Sequence, residues 1–157
     1  CHEFWCSNFS TVVFGGNLVS GTDLSYTDLS KRDLSKMVFS TISGTATESN
    51  CGYQCLQHRE FFTTKLNFSN LSKSIFKGNN LVDVDFIGAD LTFSDLSDTN
   101  MSHANLSDAN LTGANLSDAN LTGANLSGAN LQGAILDNTI LTDANLKCVN
   151  HPICESG

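Results

Sequence analysis

The sequence is poor in proline, in basic residues and in long apolar runs. One of its 157 residues is proline. It contains 8 Lys and Arg residues and 16 Asp and Glu residues, so its formal net charge is −8. Direct nucleic-acid binding is disfavoured, because it needs clustered Lys and Arg to replace the counterions of phosphates. No apolar run is long enough to predict a transmembrane segment. Cys1 in place of an initiator Met fits either a mature chain whose leader was removed or a trimmed chain.

The motifs that carry chemistry are absent as well. No G-x-S-x-G, phosphate loop or dinucleotide fingerprint occurs, and no histidine follows the abundant Ser residues at a periodic spacing. His2, His58 and His103 are isolated and are expected to be solvated surface residues. Cys148, His151 and Cys154 make three zinc-type ligands without a fourth, so a disulfide is the better interpretation. The sequence therefore predicts no enzyme, no metal and no cofactor.

Six cysteines lie near the ends and in one irregular segment, namely Cys1, Cys6, Cys51, Cys55, Cys148 and Cys154. An even number in these places favours disulfides over free or metal-binding thiols. Disulfides persist in oxidising compartments, so the sequence predicts an extracellular, periplasmic or organelle-lumen location.

A five-residue period dominates the chain. From residue 104 the sequence reads ANLSD ANLTG ANLSD ANLTG, and the central Leu, position i of each repeat, recurs at Leu106, Leu111, Leu116, Leu121, Leu126, Leu131, Leu136, Leu141 and Leu146. The same phase extends backwards to Leu66 and, with less regularity, to Phe61. Position i−2 is mostly small, i−1 is mostly Asn or Asp, and i+1 is mostly Ser or Thr.

A second array in a different phase lies nearer the N-terminus, with centres at Phe9, Phe14, Val19, Leu24, Leu29, Leu34 and Phe39. The two arrays hold about 24 repeats. We therefore divide a single domain, 1–157, into an N-terminal cap (1–6), a first array (7–41), an inserted segment (42–60), a second array (61–147) and a C-terminal cap (148–157).

The period of five excludes both regular secondary structures. On an α-helix, successive Leu positions would be displaced by about 140° and spread around the surface. On a flat strand, an odd step would send them to alternate faces. A chain that turns a corner of about 90° at every repeat brings them all to one side. Four such sides close one coil, so every fourth centre, as in Leu106, Leu126 and Leu146, should stack.

Stacked coils pair their backbones in parallel, about 4.8 Å apart, so about 24 repeats give about six coils and a rod roughly 30 Å long. A narrow interior explains why a large residue at i accompanies a small one at i−2. The glycines at i+2, Gly113, Gly123, Gly128 and Gly133, suit corners that need a positive φ.

The A-[ND]-L-[ST]-x pattern resembles the pentapeptide-repeat family over nearly the whole chain except its ends and the interruption. The resemblance implies an all-β, right-handed quadrilateral parallel β-helix, here with disulfide-fastened ends and one inserted loop. It says little about function, because the consensus is structural.

The ends of such a rod need caps, which Phe4 and Trp5 at one end and Pro152 and Ile153 at the other are expected to supply. Since the termini should lie about 30 Å apart, well beyond disulfide reach, Cys148 is expected to pair with Cys154. Cys1, Cys6, Cys51 and Cys55 then have three possible pairings. A local pairing, of Cys1 with Cys6 and of Cys51 with Cys55, fits as well as a crossed pairing that joins the inserted segment to the N-terminal cap.

Two kinds of outward residue are candidate sites. The Asp residues at i−1 are expected to form solvated carboxylate rows without a catalytic role, and they comprise Asp23, Asp28, Asp33, Asp85, Asp90 and Asp95. N-x-[ST] sequons for possible N-glycosylation occur at Asn8, Asn67, Asn70, Asn100, Asn105, Asn110, Asn115, Asn120 and Asn125. The repeat consensus itself generates this pattern, so the sequons are weak signals.

The favoured function is a non-enzymatic secreted or lumenal scaffold, a rod that stacks end to end or presents a protein-binding or glycosylated surface. The first alternative follows from the resemblance, since some family members mimic DNA and inhibit type II topoisomerases, and this chain is acidic. The second is a lipid-anchored bacterial surface protein modified at Cys1, which would leave an odd number of cysteines.

Overall fold

The chain winds as a four-sided coil in the computed structural model, which describes residues 24–32, 34 and 64–154. Each side contributes a single bridging residue between turns, and no helix occurs in this part of the chain. Parallel bridges join positions four repeats apart on all four sides, as in Lys65↔Asp85, Asn70↔Asp90, Ile75↔Asp95 and Asn80↔Asn100. A period of four repeats per turn is therefore confirmed for these residues.

Hydrogen bonds account for all five backbone N–H groups of a regular repeat. Around Leu106, the N–H groups of Leu106 and Asp108 donate to the next coil, at Asn125 O (2.8 Å) and Ser127 O (2.8 Å). The N–H of Asn105 donates to the preceding coil, at Val84 O (3.0 Å). A buried backbone group without a partner is costly, so this division of donors fixes each repeat between its two neighbours.

The remaining two N–H groups are satisfied inside the turn between sides. The N–H of residue i+3 donates back to the carbonyl of i, as from Ala114 to Leu111 (3.0 Å). The N–H of i+1 donates to the side chain at i−1, as from Thr112 to Asn110 Oδ1 (3.2 Å), and the Thr112 hydroxyl donates to the same atom at 2.7 Å. This local ring explains why Asn or Asp precedes, and Ser or Thr follows, the central Leu.

The central residues form four columns inside the coil, and from Leu66 to Leu131 they are almost completely excluded from solvent. Leu66, Phe76, Phe86, Met101 and Leu116 are each 0% exposed. From Thr64 to Ala134, the i−2 residues lie beside them and are also buried, which confirms the predicted pairing of a large residue with a small one. At Ser74, Ser94 and Thr99, the hydroxyl of residue i−2 donates to the carbonyl of the preceding repeat's residue i. No buried polar side-chain atom in the described residues lacks a partner.

The first array stacks on the second with a different register. Asp28 bridges to Asn70, a step along the chain more than twice that from Lys65 to Asp85. The Nδ2 of Asn79 also donates to Leu34 O at 2.7 Å and joins the two arrays from within the core. The connection between positions 34 and 64 is thus longer than a regular coil by more than four repeats. The predicted inserted segment itself lies outside the described residues.

The coil changes at its C-terminal end. Val149, and not Asn150, bridges to Asn130, so the last side is one residue short. Cys148 therefore occupies an i−2 position, is 5% exposed, and forms a disulfide with Cys154 (Cα–Cα 5.0 Å). Ile153 and Cys154 pack against the core, but the central Leu136, Leu141 and Leu146 are only partly buried. The predicted stack of Leu106, Leu126 and Leu146 is present, although its last member is incompletely covered.

Several predictions concern other parts of the chain. The N-terminal cap, the four cysteines Cys1, Cys6, Cys51 and Cys55, and most of the first array lie outside the described residues. The total of about six coils and the division of the domain stay predictions.

Candidate interaction surface

Asparagine ladders run along the outside of the coil. The Nδ2 of Asn125 donates to Asn105 Oδ1 (3.2 Å), and the Nδ2 of Asn145 donates to Asn125 Oδ1 (3.0 Å). On another side Asn115 donates in the same way to Asp95 (3.5 Å). Each oxygen also accepts the N–H of its own turn, so these amides link neighbouring coils as well as closing corners.

Asp85, Asp90 and Asp95 do not form the predicted carboxylate row, and Asp23 and Asp33 lie outside the described residues. Asp85, Asp90 and Asp95 belong to successive repeats and therefore lie on three different sides of the coil. The residues above them at i−1 are Asn105, Asn110 and Asn115, so each of these three carboxylates is followed by an amide in its own column. The prediction was wrong because it followed the sequence order instead of the four-repeat spacing that defines a column.

Two of these carboxylates have opposite pKa shifts. The pKa of Asp28 is lowered, mainly because the Ser30 backbone N–H donates to it at 3.0 Å. The pKa of Asp85 is raised because burial disfavours its charged form, and this effect exceeds the opposing attraction of Lys65 and the hydrogen bond from Asn105. The N–H that would complete its turn, that of Ile87, donates instead to Asn67 Oδ1 at 2.9 Å. Asp85 thus lacks the bond that favours ionisation at Asp28.

The corners are formed by residues with positive φ at position i+2, whichever amino acid occupies them. The predicted glycines do so, with φ of +65° at Gly113 and +66° at Gly123. Phe93 (φ 55°), Asp98 (φ 58°) and His103 (φ 59°) adopt the same conformation without glycine's freedom. Sequence reasoning missed these positions, since their side chains give no signal of a left-handed backbone.

Large corner side chains lie over glycines of the next coil. A Cβ on Gly113 would be 2.6 Å from Phe93 Cδ1, and one on Gly123 would be 2.6 Å from His103 Nδ1. Phe68, which covers Gly88 in the same way, also stacks on Tyr26 with ring centroids 5.2 Å apart. Tyr26, Phe68 and Phe93 are nevertheless 78%, 53% and 62% exposed, so the corners present aromatic surface to solvent.

Charge is segregated along the sequence. Residues 1–77 contain 7 basic and 6 acidic residues, whereas residues 78–157 contain 1 basic and 10 acidic residues. No Lys or Arg occurs between residues 78 and 146, which hold nine aspartates: Asp83, Asp85, Asp90, Asp95, Asp98, Asp108, Asp118, Asp137 and Asp143. One ion pair, between Lys77 and Asp98 (3.4 Å), lies near the boundary. The distribution was visible in the sequence, but the net charge alone conceals it.

The predicted sequons differ in their surroundings. Asn8 lies outside the described residues. Asn115, Asn120 and Asn125 use Nδ2, the atom that would carry a glycan, to bond Asp95, Asn100 and Asn105 in the ladders. Asn110 lies beside them but donates Nδ2 to no acceptor in the part of the chain that the structure describes. The ladder thus competes with modification at some sequons and leaves others available.

Comparison with known sequences identifies the repeats. The family model described as pentapeptide repeats matches in 8 copies over residues 64–98, 89–128 and 124–150. The chain belongs to the pentapeptide repeat family. Pentapeptide repeat proteins fold as right-handed quadrilateral β-helices, which gives the coil its handedness. A comparison with curated protein sequences gave no match.

Solved structures of pentapeptide repeat proteins are similar to this chain. HetL of the cyanobacterium Nostoc, involved in heterocyst differentiation regulation, is 29% identical with a TM-score of 0.69 over 85% of this chain and 54% of HetL. This chain thus spans about half the length of HetL. A protein of the Arabidopsis thaliana thylakoid lumen is 29% identical (TM-score 0.40; 76% of this chain, 61% of that one). QnrB1, a plasmid-mediated fluoroquinolone resistance protein, is 14% identical (TM-score 0.38; 85% and 86%).

Pentapeptide repeat proteins are generally non-enzymatic scaffolds or regulators, and family members interact with proteins. Among residues 24–32, 34 and 64–154, no group of three or more His, Cys, Asp or Glu residues is placed to hold a metal ion. The same residues contain no helix that is long and apolar enough to cross a membrane.

Proposed function

We propose that this pentapeptide repeat protein is a non-enzymatic scaffold of a secreted or lumenal compartment, a stiff column that presents its outer surface to protein partners. The observation that carries the proposal is the use of backbone donors in the interior coils. A regular repeat, such as that of Leu106, gives three N–H groups to neighbouring coils and two to turns, and large residues fill the interior. Such a coil holds its corner side chains at fixed spacings, which is the property that a scaffold needs.

Amide hydrogen exchange tests the stiffness of the column. We expect the amides of residues i−1, i and i+2 to be protected together through the interior coils, from Leu66 to Leu126, because opening any one of them requires separation of two coils. The amide of i+1, which faces the side chain at i−1, serves as the internal reference and should exchange faster. Rapid exchange of the interior amides as a group would contradict the scaffold role.

The disulfide between Cys148 and Cys154 supports an oxidising compartment. Non-reducing peptide mapping of native material should recover these two cysteines in linked peptides. If they are found as free thiols there, the secreted or lumenal location is wrong, whereas the scaffold role would stand on the exchange data.

Glycosylation is a finer proposal for the same surface. We expect Asn110, whose Nδ2 is not used in a ladder, to accept a glycan in preference to Asn115, Asn120 and Asn125. Glycopeptide mapping of native material measures this directly. An intact mass equal to that of the bare polypeptide would rule out glycosylation at every sequon.

A second candidate function, inhibition of a DNA-binding enzyme such as a type II topoisomerase, draws support from the segregated charge. Residues 78–146 form about 3.5 coils, or about 17 Å of column at about 4.8 Å per coil. Duplex DNA of that length carries about 10 phosphates, and this segment carries nine aspartates with no Lys or Arg. A supercoiling assay without inhibition at micromolar protein would exclude this candidate.

A further inference from the structure

The exposed aromatic residues that the structure describes border one side of the coil. Tyr26 and Phe68 occupy one corner column, and Phe93 occupies the next corner along the chain. Their side chains are 78%, 53% and 62% exposed. The side between these two corners carries an i−1 column that consists of Asp28, Asn70, Asp90, Asn110 and Asn130. We call this side of the coil the aromatic face.

Two of these aromatic side chains are held in place by the coil above. A Cβ at Gly88 would lie 2.6 Å from Phe68 Cδ1, and one at Gly113 would lie 2.6 Å from Phe93 Cδ1. Gly88 precedes Asp90 by two residues and Phe93 follows it by three, so an aromatic side chain lies on each side of this carboxylate. Side chains that are already packed in this way lose little conformational freedom when a partner binds.

The carboxylates at i−1 on two other sides are bound by the amide above them. Asp85 accepts a hydrogen bond from the side chain of Asn105. Asp95 accepts one from Asn115 Nδ2 at 3.5 Å. These bonds use part of the acceptor capacity of each carboxylate. A partner that approached either of these sides would therefore meet an amide ladder.

Asp90, on the aromatic face, has no such bond. The amide above it belongs to Asn110, whose Oδ1 accepts from Thr112 and whose Nδ2 donates to no acceptor in the part of the chain that the structure describes. Asp90 Oδ1 accepts the Thr92 N–H at 3.0 Å, and no described residue donates to its second oxygen. Because an ionised carboxylate accepts several hydrogen bonds, Asp90 is available to a donor from outside the chain.

The charge of the surrounding surface favours a cationic partner. No Lys or Arg occurs between residues 78 and 146, which hold nine aspartates. One of these, Asp108, lies in the corner column of Phe68, two coils above it. Lys73 lies one coil below Phe93, so the basic part of the chain ends just before this site. A positively charged segment is therefore attracted to the aromatic face from Asp90 upward, toward the C-terminal end.

We propose that the aromatic face binds an arginine-containing basic segment of a partner protein, with an arginine bound to Asp90 and the segment lying across the corners of Phe68 and Phe93. A guanidinium donates two parallel hydrogen bonds to a carboxylate and also packs on aromatic rings. The aromatic face offers both contacts within one repeat. This inference rests on the proposed scaffold role and specifies its partner. It differs from imitation of DNA, in which every outward aspartate would contribute alike.

The first test is an NMR titration of the full chain with the peptide acetyl-Gly-Arg-Gly-Arg-Gly-amide. We expect the largest shifts at the amides of Asp90, Thr92 and Phe93, which surround the proposed contact. The same peptide with citrulline in place of arginine keeps the shape but carries no charge, and it should bind at least ~10-fold more weakly. Shifts spread evenly over the aspartates, or equal binding of the two peptides, would overturn the proposal.

Matched variants separate this site from general attraction. Asp90→Asn and Asp95→Asn remove the same charge from the same position of successive repeats, but only Asp95 already accepts an amide from above. Asp90→Asn should weaken binding of the arginine peptide about 10-fold. Asp95→Asn should weaken it less than about 2-fold, as for an exposed charge near the site. Equal effects of the two variants would reduce the site to a diffuse acidic surface and refute the proposal.

The aromatic contribution is tested at two opposite corners. Phe93→Ala should weaken binding about 3-fold. His103→Ala removes a side chain that covers Gly123 in the same way, and it should leave binding unchanged. Lys73→Ala should strengthen binding, because it removes a like charge below the site. No effect of Phe93→Ala, or weaker binding by Lys73→Ala, contradicts the proposal once circular dichroism has shown that each variant is folded.

Two other occupants of the aromatic face are outcomes of these tests. A glycan on Asn110 would cover Asp90, since the two residues are adjacent in one column, so full glycosylation of Asn110 in native material would exclude the basic partner. Shifts on this face with cellotetraose, and none with the arginine peptide, would assign it to a saccharide instead. Each of these outcomes leaves the scaffold role in place, because that role is judged by amide protection.

Discussion

Two glycines at the corners allow the loss of stability caused by a Gly→Ala substitution to be separated into backbone strain and steric contact. Gly113 and Gly133 occupy the same corner column on adjacent levels, with φ of +65° and +67°. A Cβ at Gly113 would lie 2.6 Å from Cδ1 of Phe93, whereas a Cβ at Gly133 would meet nothing within 4 Å. Alanine at either site has the same backbone strain, but only at Gly113 must an aromatic ring move.

The expected magnitudes follow from these contacts. A non-glycine residue in the left-handed region costs about 1–2 kcal/mol, and the lower entropy of the unfolded chain returns about 0.4–1 kcal/mol. Gly133→Ala should therefore destabilise by about 1 kcal/mol. At Gly113→Ala the Phe93 ring must also leave its rotamer or its contact, for a further cost of about 0.5–1.5 kcal/mol, giving about 2 kcal/mol in total.

The assay is equilibrium unfolding in denaturant, followed by circular dichroism with the disulfides intact. Phe93→Ala supplies the third arm of a double-mutant cycle, because removal of the ring should reduce the cost of Gly113→Ala to that of Gly133→Ala. Phe93 is 62% exposed, so its own removal should be mild. The reasoning is refuted if Gly113→Ala and Gly133→Ala cost the same, or if Gly113→Ala is as costly without the ring as with it.

Three further predictions concern the carboxylate, the core and the disulfide. Burial raises the pKa of Asp85 above its unfolded value, so the contribution of this carboxyl to stability grows as the pH falls and is lost as the pH rises through the folded pKa. Asp85→Asn should therefore raise the Tm at pH 7 more than Asp90→Asn does, and the difference between the two variants should shrink in acid. A difference that does not depend on pH would contradict this prediction. Leu111→Ala, at a position 0% exposed, should destabilise by about 2–5 kcal/mol in denaturant unfolding, and a loss below about 1 kcal/mol would mean that the coil collapses around the cavity. Reduction of the Cys148–Cys154 disulfide, which closes a short loop, should lower the free energy of unfolding by about 2 kcal/mol, and an unchanged midpoint would show that the loop is held without it.

The sequence predicted the parts of the fold that depend on periodicity. Leu and Phe at every fifth position specify the buried columns, and the small residue at i−2 follows from the space left beside them. Register between the arrays was not predictable, because Asp28 pairs with Asn70 across an interruption whose length gives no information on where the chain rejoins the stack. The raised pKa of Asp85 was not predictable either, since it follows from burial and from the loss of the Ile87 N–H to Asn67, one coil below.

The candidate surface was less accessible to sequence reasoning than the core. Outward positions were identified correctly, but their neighbours in space are a full coil away along the chain, so rows assigned in sequence order were wrong. The left-handed corners at Phe93 and His103 carry no sequence signal, because the backbone of each is held by hydrogen bonds to Thr112 O and Thr122 O in the next coil and not by its own preference. The incomplete burial of the last central residues, Leu136, Leu141 and Leu146, became visible only in the structure.

The four-repeat spacing of the bridges has a consequence for how such a chain changes over time. Loss or gain of a single repeat would leave the interior intact but rotate all later repeats by a quarter turn about the axis. Each exposed column before the change would then continue as a different column after it. Loss or gain of four repeats would change only the length. The extra length of chain between positions 34 and 64 does not rotate the columns, because Asp28 before it still bridges to Asn70 after it. Evolution of the exterior in this protein is therefore expected to proceed by whole turns or by excursions, and seldom by single repeats.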